Sequence, residues 1–140
     1  MAIVVRILGM FNVLAAAVVF VNVLSGHAQL WNTGSLWDYI NPIMGIAVVI
    51  SLLVNLRRKI SLPEDDRVSR MYLEVNVLFY ASIILTMIFF SNWFYMLWDF
   101  GDASDESRTR HFIYWWFINP YFILVSGITG YHLWLKASRS

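Results

Sequence analysis

Cysteine is absent from the 140 residues, which removes disulfides, thiolate metal sites and cysteine nucleophiles from consideration. Charge is scarce too. Asp, Glu, Lys and Arg make up 14% of the chain, against about a quarter in an ordinary soluble domain. No basic stripe lies away from the ends of the apolar runs, so nothing points to nucleic acid as a partner. The sequence also lacks a Ser-His-Asp set, a His-Glu-x-x-His helix, a phosphate-binding glycine loop and a paired-carboxylate pattern. The "DFG" at 99–101 has no kinase-like surroundings. No catalytic centre is expected, and the chain is not read as an enzyme.

What the chain has in abundance is apolar surface: 59% of it is hydrophobic and 17% aromatic. One small globule cannot hide that much, so lipid is part of its solvent. Four runs stand out: "IVVRILGMFNVLAAAVVFVNVL" (3–24), "LWDYINPIMGIAVVISLLVNL" (36–56), "MYLEVNVLFYASIILTMIFFSNWFYMLW" (71–98) and "FIYWWFINPYFILVSGITGYHLWL" (112–135). Each reaches the ~20 residues with which an α-helix crosses about 30 Å of hydrocarbon. Short alternating segments of the kind that build a membrane β-barrel do not appear. The fold class expected is an all-α membrane protein, a single four-helix transmembrane domain over 1–140. "SGHA" at 25–28 offers a signal-peptidase pattern, but the first run exceeds the usual h-region of ~7–15 residues. It is read as a retained helix.

The basic residues are distributed unevenly. Arg6, Arg57, Arg58, Lys59, Arg67, Arg70, Lys136 and Arg139 fall on one side of the four runs. Arg108 and Arg110 fall on the other, among Asp99, Asp102, Asp105 and Glu106. The positive-inside rule then makes both termini and the 57–70 segment cytoplasmic, in a bacterial inner membrane. Trp31, Trp37, Trp93, Trp98, Trp115 and Trp116 group at the outer interface, where indole sits between headgroup and tail, and Trp134 at the inner one.

Two short sequences recur. "FNVL" (11–14) is answered by "VNVL" (75–78), and "YINP" (39–42) by "FINP" (117–120), in the same order. The pattern predicts two tandem helical hairpins related by a two-fold axis along the membrane normal, a parallel repeat. Pro42 and Pro120 fall inside their helices, so each removes a backbone donor and frees a carbonyl one turn earlier, at Asp38 and Trp116. Asn41 and Asn119 are placed to bond those freed groups or a neighbouring helix. Asn12 and Asn76, the asparagines of the other repeat, are expected to join helices by hydrogen bonds. Ser126, Gly127 and Gly130, and Ala15 to Ala17, are the small residues that permit a close helix crossing.

Ionisable residues within the runs are few. Glu74 lies one turn into the third run, where it suits the positive end of the helix dipole and a pairing with Arg70. Arg6 reads as an anchor that snorkels to the interface. His27 and His111 both belong near the outer interface, and with Asp38, Asp99 or Asp102 they are candidate metal or haem ligands. His132 reads as an interfacial residue beside Tyr131 and Trp134.

These features support three expectations. The first is an accessory subunit that stabilises or organises a larger respiratory, photosynthetic or oxygenase-type membrane complex, with the bilayer and larger membrane subunits as its partners. The second is a small oligomeric transporter or channel with a site at the Asn-Pro breaks. The third is a haem or metal membrane protein using His27 and His111. Bound lipid is expected; no motif calls for a pigment, haem or metal.

Overall fold

The computed structural model describes residues 2–30, 32–63, 69–98, 101 and 103–138. Trp31, Arg67, Asp99, Asp102 and Arg139, which the sequence reading used, lie outside the described residues. Four helices account for nearly all the rest: α1 (Ala2–His27), α2 (Trp37–Ile60), α3 (Arg70–Trp98) and α4 (Asp105–Ser138), with a 3-10 turn at Gly34–Leu36 leading into α2. All four are long and apolar enough to cross a membrane.

Local chemistry sets the helix ends. At the C-terminus of α1, Gln29 takes φ 53°. Its N–H and that of Leu30 return to the carbonyls of Gly26 and Ser25, at 3.4 and 3.1 Å. That is a Schellman cap built on a glutamine where glycine is usual. The α2 terminus carries Arg57, Arg58 and Lys59 against the negative pole of its dipole. Ser69 opens α3 by accepting the Tyr72 N–H at 3.0 Å. Ser104 opens α4 by accepting the Ser107 N–H at 3.3 Å, with Asp105 and Glu106 in the first turn. The hydropathy reading put "DESRTR" in a loop and began the fourth helix at 112. The helix begins seven residues earlier, because a serine cap and acidic first turn start a helix that apolar content cannot detect.

The helices alternate in direction, which brings both termini and the α2–α3 connection to one end, here the basic end. Arg6 of α1 lies over the Trp134 ring of α4 there, at 4.7 Å. Packing is closest between α1 and α4 and next between α2 and α3, while α2 and α4 meet across the middle. Among the described residues no Cα atoms of α1 and α3 come within 8 Å of each other. Small residues explain the α1–α4 approach. A Cβ added to Gly130 would lie 2.7 Å from the Gly9 carbonyl oxygen and 2.9 Å from the Val13 nitrogen. One added to Gly9 would lie 2.9 Å from the Gly130 oxygen. By contrast, a Cβ on Gly127 would meet the Ala16 methyl at an ordinary 3.8 Å. Gly130 therefore sits at the crossing, and Gly9 is the partner that sequence reading passed over.

α2 and α4 bury corresponding positions. Ile40, Asn41, Met44, Ala47, Val48, Ser51 and Asn55 map at a constant offset of 78 onto Ile118, Asn119, Phe122, Val125, Ser126, Thr129 and Leu133, all buried. Met44, Phe122, Leu85, Phe89 and Val19 form the centre of the apolar core. Pro42 and Pro120, one residue past the buried asparagines, are exposed. Each helix thus turns its missing N–H outward and its asparagine inward.

Candidate functional site

Polar side chains meet in the middle of the bundle. Ser51 of α2 donates to Asn12 Oδ1 of α1 at 3.0 Å and lies 3.5 Å from the Ser126 hydroxyl of α4. One turn further along α2, Asn55 Nδ2 donates to Ser82 Oγ of α3 at 2.8 Å and to Thr129 Oγ1 of α4 at 2.9 Å. Asn12 and Ser82 also back-bond to the Leu8 and Leu78 carbonyls. All four helices are joined by neutral groups that water does not reach, so each bond substitutes for a solvation the site lacks. Asn55, Ser51 and Thr129 were not singled out in the sequence. The available signal was the Ser51/Asn55 spacing of four, which puts two polar residues on one face of an apolar helix.

The Asn-Pro asparagines do not join this network. Asn41 and Asn119 are buried, and their Oδ1 atoms find no partner among the described residues, nor do the amide atoms of Asn22. The expected bonds from these oxygens to neighbouring helices are therefore not made. Asn41 and Pro42 instead border a cleft of about 320 Å³ with Asp38, Trp93, Met96 and Leu97. The two "NVL" asparagines also differ in surroundings. Asn12 is in the central network, whereas Asn76 lies at the basic end, hydrogen-bonded to Lys59 and donating to the Tyr72 carbonyl at 2.8 Å.

Glu74 belongs to an ionic group at the basic end. Its Oε1 accepts from Arg58 of α2 at 2.8 Å and lies 3.1 Å from His132 Nε2 of α4. Arg58 takes the place foreseen for Arg70, because the α2–α3 contact brings it across while Arg70 sits on the exposed first turn. His132 thus has an acidic partner as well as the Tyr131 ring, 6.2 Å away.

The opposite end is aromatic. Trp115 packs on Trp37 and Phe89, Phe89 on Trp93, and Trp93 on Phe94. The structure gives His27 and His111 separate surroundings here. His27 bonds the Val23 carbonyl at 2.8 Å and meets the Trp116 ring edge-on. His111 faces α3, stacked on Tyr95 with centroids 3.4 Å apart and planes 6° from parallel. Its Nδ1 is hydrogen-bonded to Asn92 Oδ1, and Asn92 Nδ2 donates to the His111 carbonyl at 3.3 Å. Among the described residues no three His, Cys, Asp or Glu side chains gather closely enough to hold a metal ion. Beside His111 a cavity of about 480 Å³ opens between α3 and α4.

Four apolar spans around a neutral polar centre, ionic at one end and aromatic at the other, define an integral membrane protein of the four-helix class. No family model, curated protein or solved structure matches the chain.

Proposed function

We propose that the chain is an accessory subunit that packs in the bilayer against larger subunits of a respiratory, photosynthetic or oxygenase-type membrane assembly, without catalysing a reaction itself. The observation that carries this reading is the uncovered aromatic face of α4. Trp116 and Phe117 leave 68% and 67% of their surface open, with Phe112 and Tyr114 about half open beside them. Rings of this size are the side chains that dominate packed interfaces. In the interior, Ser51, Asn12, Asn55, Ser82 and Thr129 bond one another, although Asn55 Oδ1 is left without a partner among the described residues. The outward face is where such a molecule acts.

The proposed orientation puts the basic end in the cytoplasm of a bacterial inner membrane, by the bias of Arg and Lys. The shared burial register of α2 and α4 supports an origin in two tandem hairpins. Extraction in mild detergent, native sizing and identification of co-purifying subunits test the main reading. The wild-type chain is expected in a particle with defined larger subunits. The W116A/F117A variant is expected to leave that particle while keeping its helical content. A wild-type chain that runs alone or as a small homo-oligomer overturns the proposal.

One observation favours a second reading, a small transporter or channel: the unpartnered Oδ1 atoms of Asn41 and Asn119, the former beside a cleft. In proteoliposomes this reading expects a potassium leak that N41L/N119L abolishes. The accessory reading expects no leak from either protein.

A further inference from the structure

The hydrogen bonds around His111 decide which of its ring nitrogens carries the proton. The His111 backbone carbonyl can only accept, so the end of the Asn92 amide that faces it is the nitrogen. The other end, the amide oxygen, faces Nδ1. Nδ1 therefore bears the hydrogen, and in the neutral imidazole Nε2 keeps its lone pair. The Tyr95 stack and the Tyr114 edge contact hold the ring in place. Nε2 has no hydrogen-bond partner among the described residues. His111 lines the cavity between α3 and α4, with Ser91 and Asn92 near it and Met87, Tyr114 and Phe117 making much of the apolar wall. The cavity is a groove open along one side, where Met87 and Phe117 stay 68% and 67% exposed, and its volume of about 480 Å³ has room for a single ring with part of its tail.

We infer that this cavity binds a lipophilic hydroxy-aromatic molecule, a hydroquinone-like ring with an apolar tail, whose hydroxyl donates to His111 Nε2. The acceptor excludes a head group that offers only carbonyl oxygens, since two lone pairs facing each other leave both unsatisfied. An aliphatic alcohol shares the hydroxyl, but the wall favours a flat ring. Tyr114 and Phe117 supply aromatic faces and edges, and a thioether such as Met87 packs well at a ring edge. The apolar wall suits the tail. Tyr114 and Phe117 also belong to the face proposed to pack against larger subunits, so the titration is made on the chain free of them.

The test is calorimetric titration of the full chain in lipid nanodiscs, under anaerobic reducing conditions, with decylhydroquinone, decylquinone and 1-decanol. Wild type is expected to bind the hydroquinone saturably and at least tenfold more tightly than either the quinone or the alcohol. His111→Phe keeps a ring on Tyr95 but removes the acceptor, so hydroquinone affinity is expected to fall to that of the quinone. Met87→Trp leaves the Asn92–His111 bonds untouched and fills the cavity, so it is expected to abolish saturable binding. Met87 is 68% exposed, so a larger side chain there is expected to leave the fold intact even where His111→Phe does not. Equal affinity for quinone and hydroquinone overturns the lone-pair argument, and equal affinity for decanol overturns the aromatic assignment. Unchanged binding in Met87→Trp removes the site from this cavity.

Discussion

Asn55 shows how much one neutral side chain decides in this bundle. It is 1% exposed, and its single amide nitrogen connects α2 to both α3 and α4. Leucine at this position has the same branched side-chain skeleton, with methyl groups in place of the amide oxygen and nitrogen, and can make neither bond. Interhelical hydrogen bonds in membranes contribute ~0.6–1.7 kcal/mol each, so Asn55→Leu is expected to lower stability by about 1–3 kcal/mol. Reversible unfolding in mixed micelles, followed by circular dichroism, measures the difference. An unchanged midpoint would show that the central bonds hold nothing together. The importance of Asn55 was hard to read from sequence because its neighbours in the chain are leucine, valine and arginine. Its two partners lie 27 and 74 residues away.

At the scale of the element, the α1–α4 pair depends on two glycines facing each other. Gly130→Ala places a methyl group against backbone atoms of α1, which have no rotamer with which to yield. Overpacking of this kind costs about 1–3 kcal/mol, and the same unfolding assay should show it. Gly127→Ala, three residues earlier on α4, is the control. Its methyl meets Ala16 at normal contact distance, so stability should stay within about 0.5 kcal/mol of wild type. Equal losses in both variants would mean that the crossing is not where the structure puts it. The sequence pointed to both glycines on the basis of size alone. Which one lies at the closest approach to α1 follows from the rotation and tilt of α4, and the apolar residues all round that helix left both undefined.

For the whole molecule, the absence of cysteine becomes useful. Single cysteines at Ser61 and Gly101, both exposed, report the two ends of the bundle separately. With the basic end cytoplasmic, a membrane-impermeant maleimide added to intact bacterial cells should label Gly101→Cys. Ser61→Cys should label only after the cells are opened. The reverse pattern would invert the proposed topology, and labelling of both in intact cells would deny that the spans cross the bilayer.

Length and hydropathy alone determined that this chain makes four helices suited to a membrane, since a backbone in hydrocarbon must satisfy its own hydrogen bonds and a helix does so within one segment. Charge bias along the chain was equally plain, because it depends only on which residues fall between the runs. The aromatic end could also be read directly, from the positions of the tryptophans. Tertiary structure alone decided the pairings: Ser51 with Asn12, Asn55 with Ser82 and Thr129, Glu74 with Arg58 and His132, and His111 with Asn92. A side chain's type states what bonds it can make. Its partner depends on which helices become neighbours and how each is turned, and that is settled by close packing across the whole bundle, with glycines admitting the nearest approach.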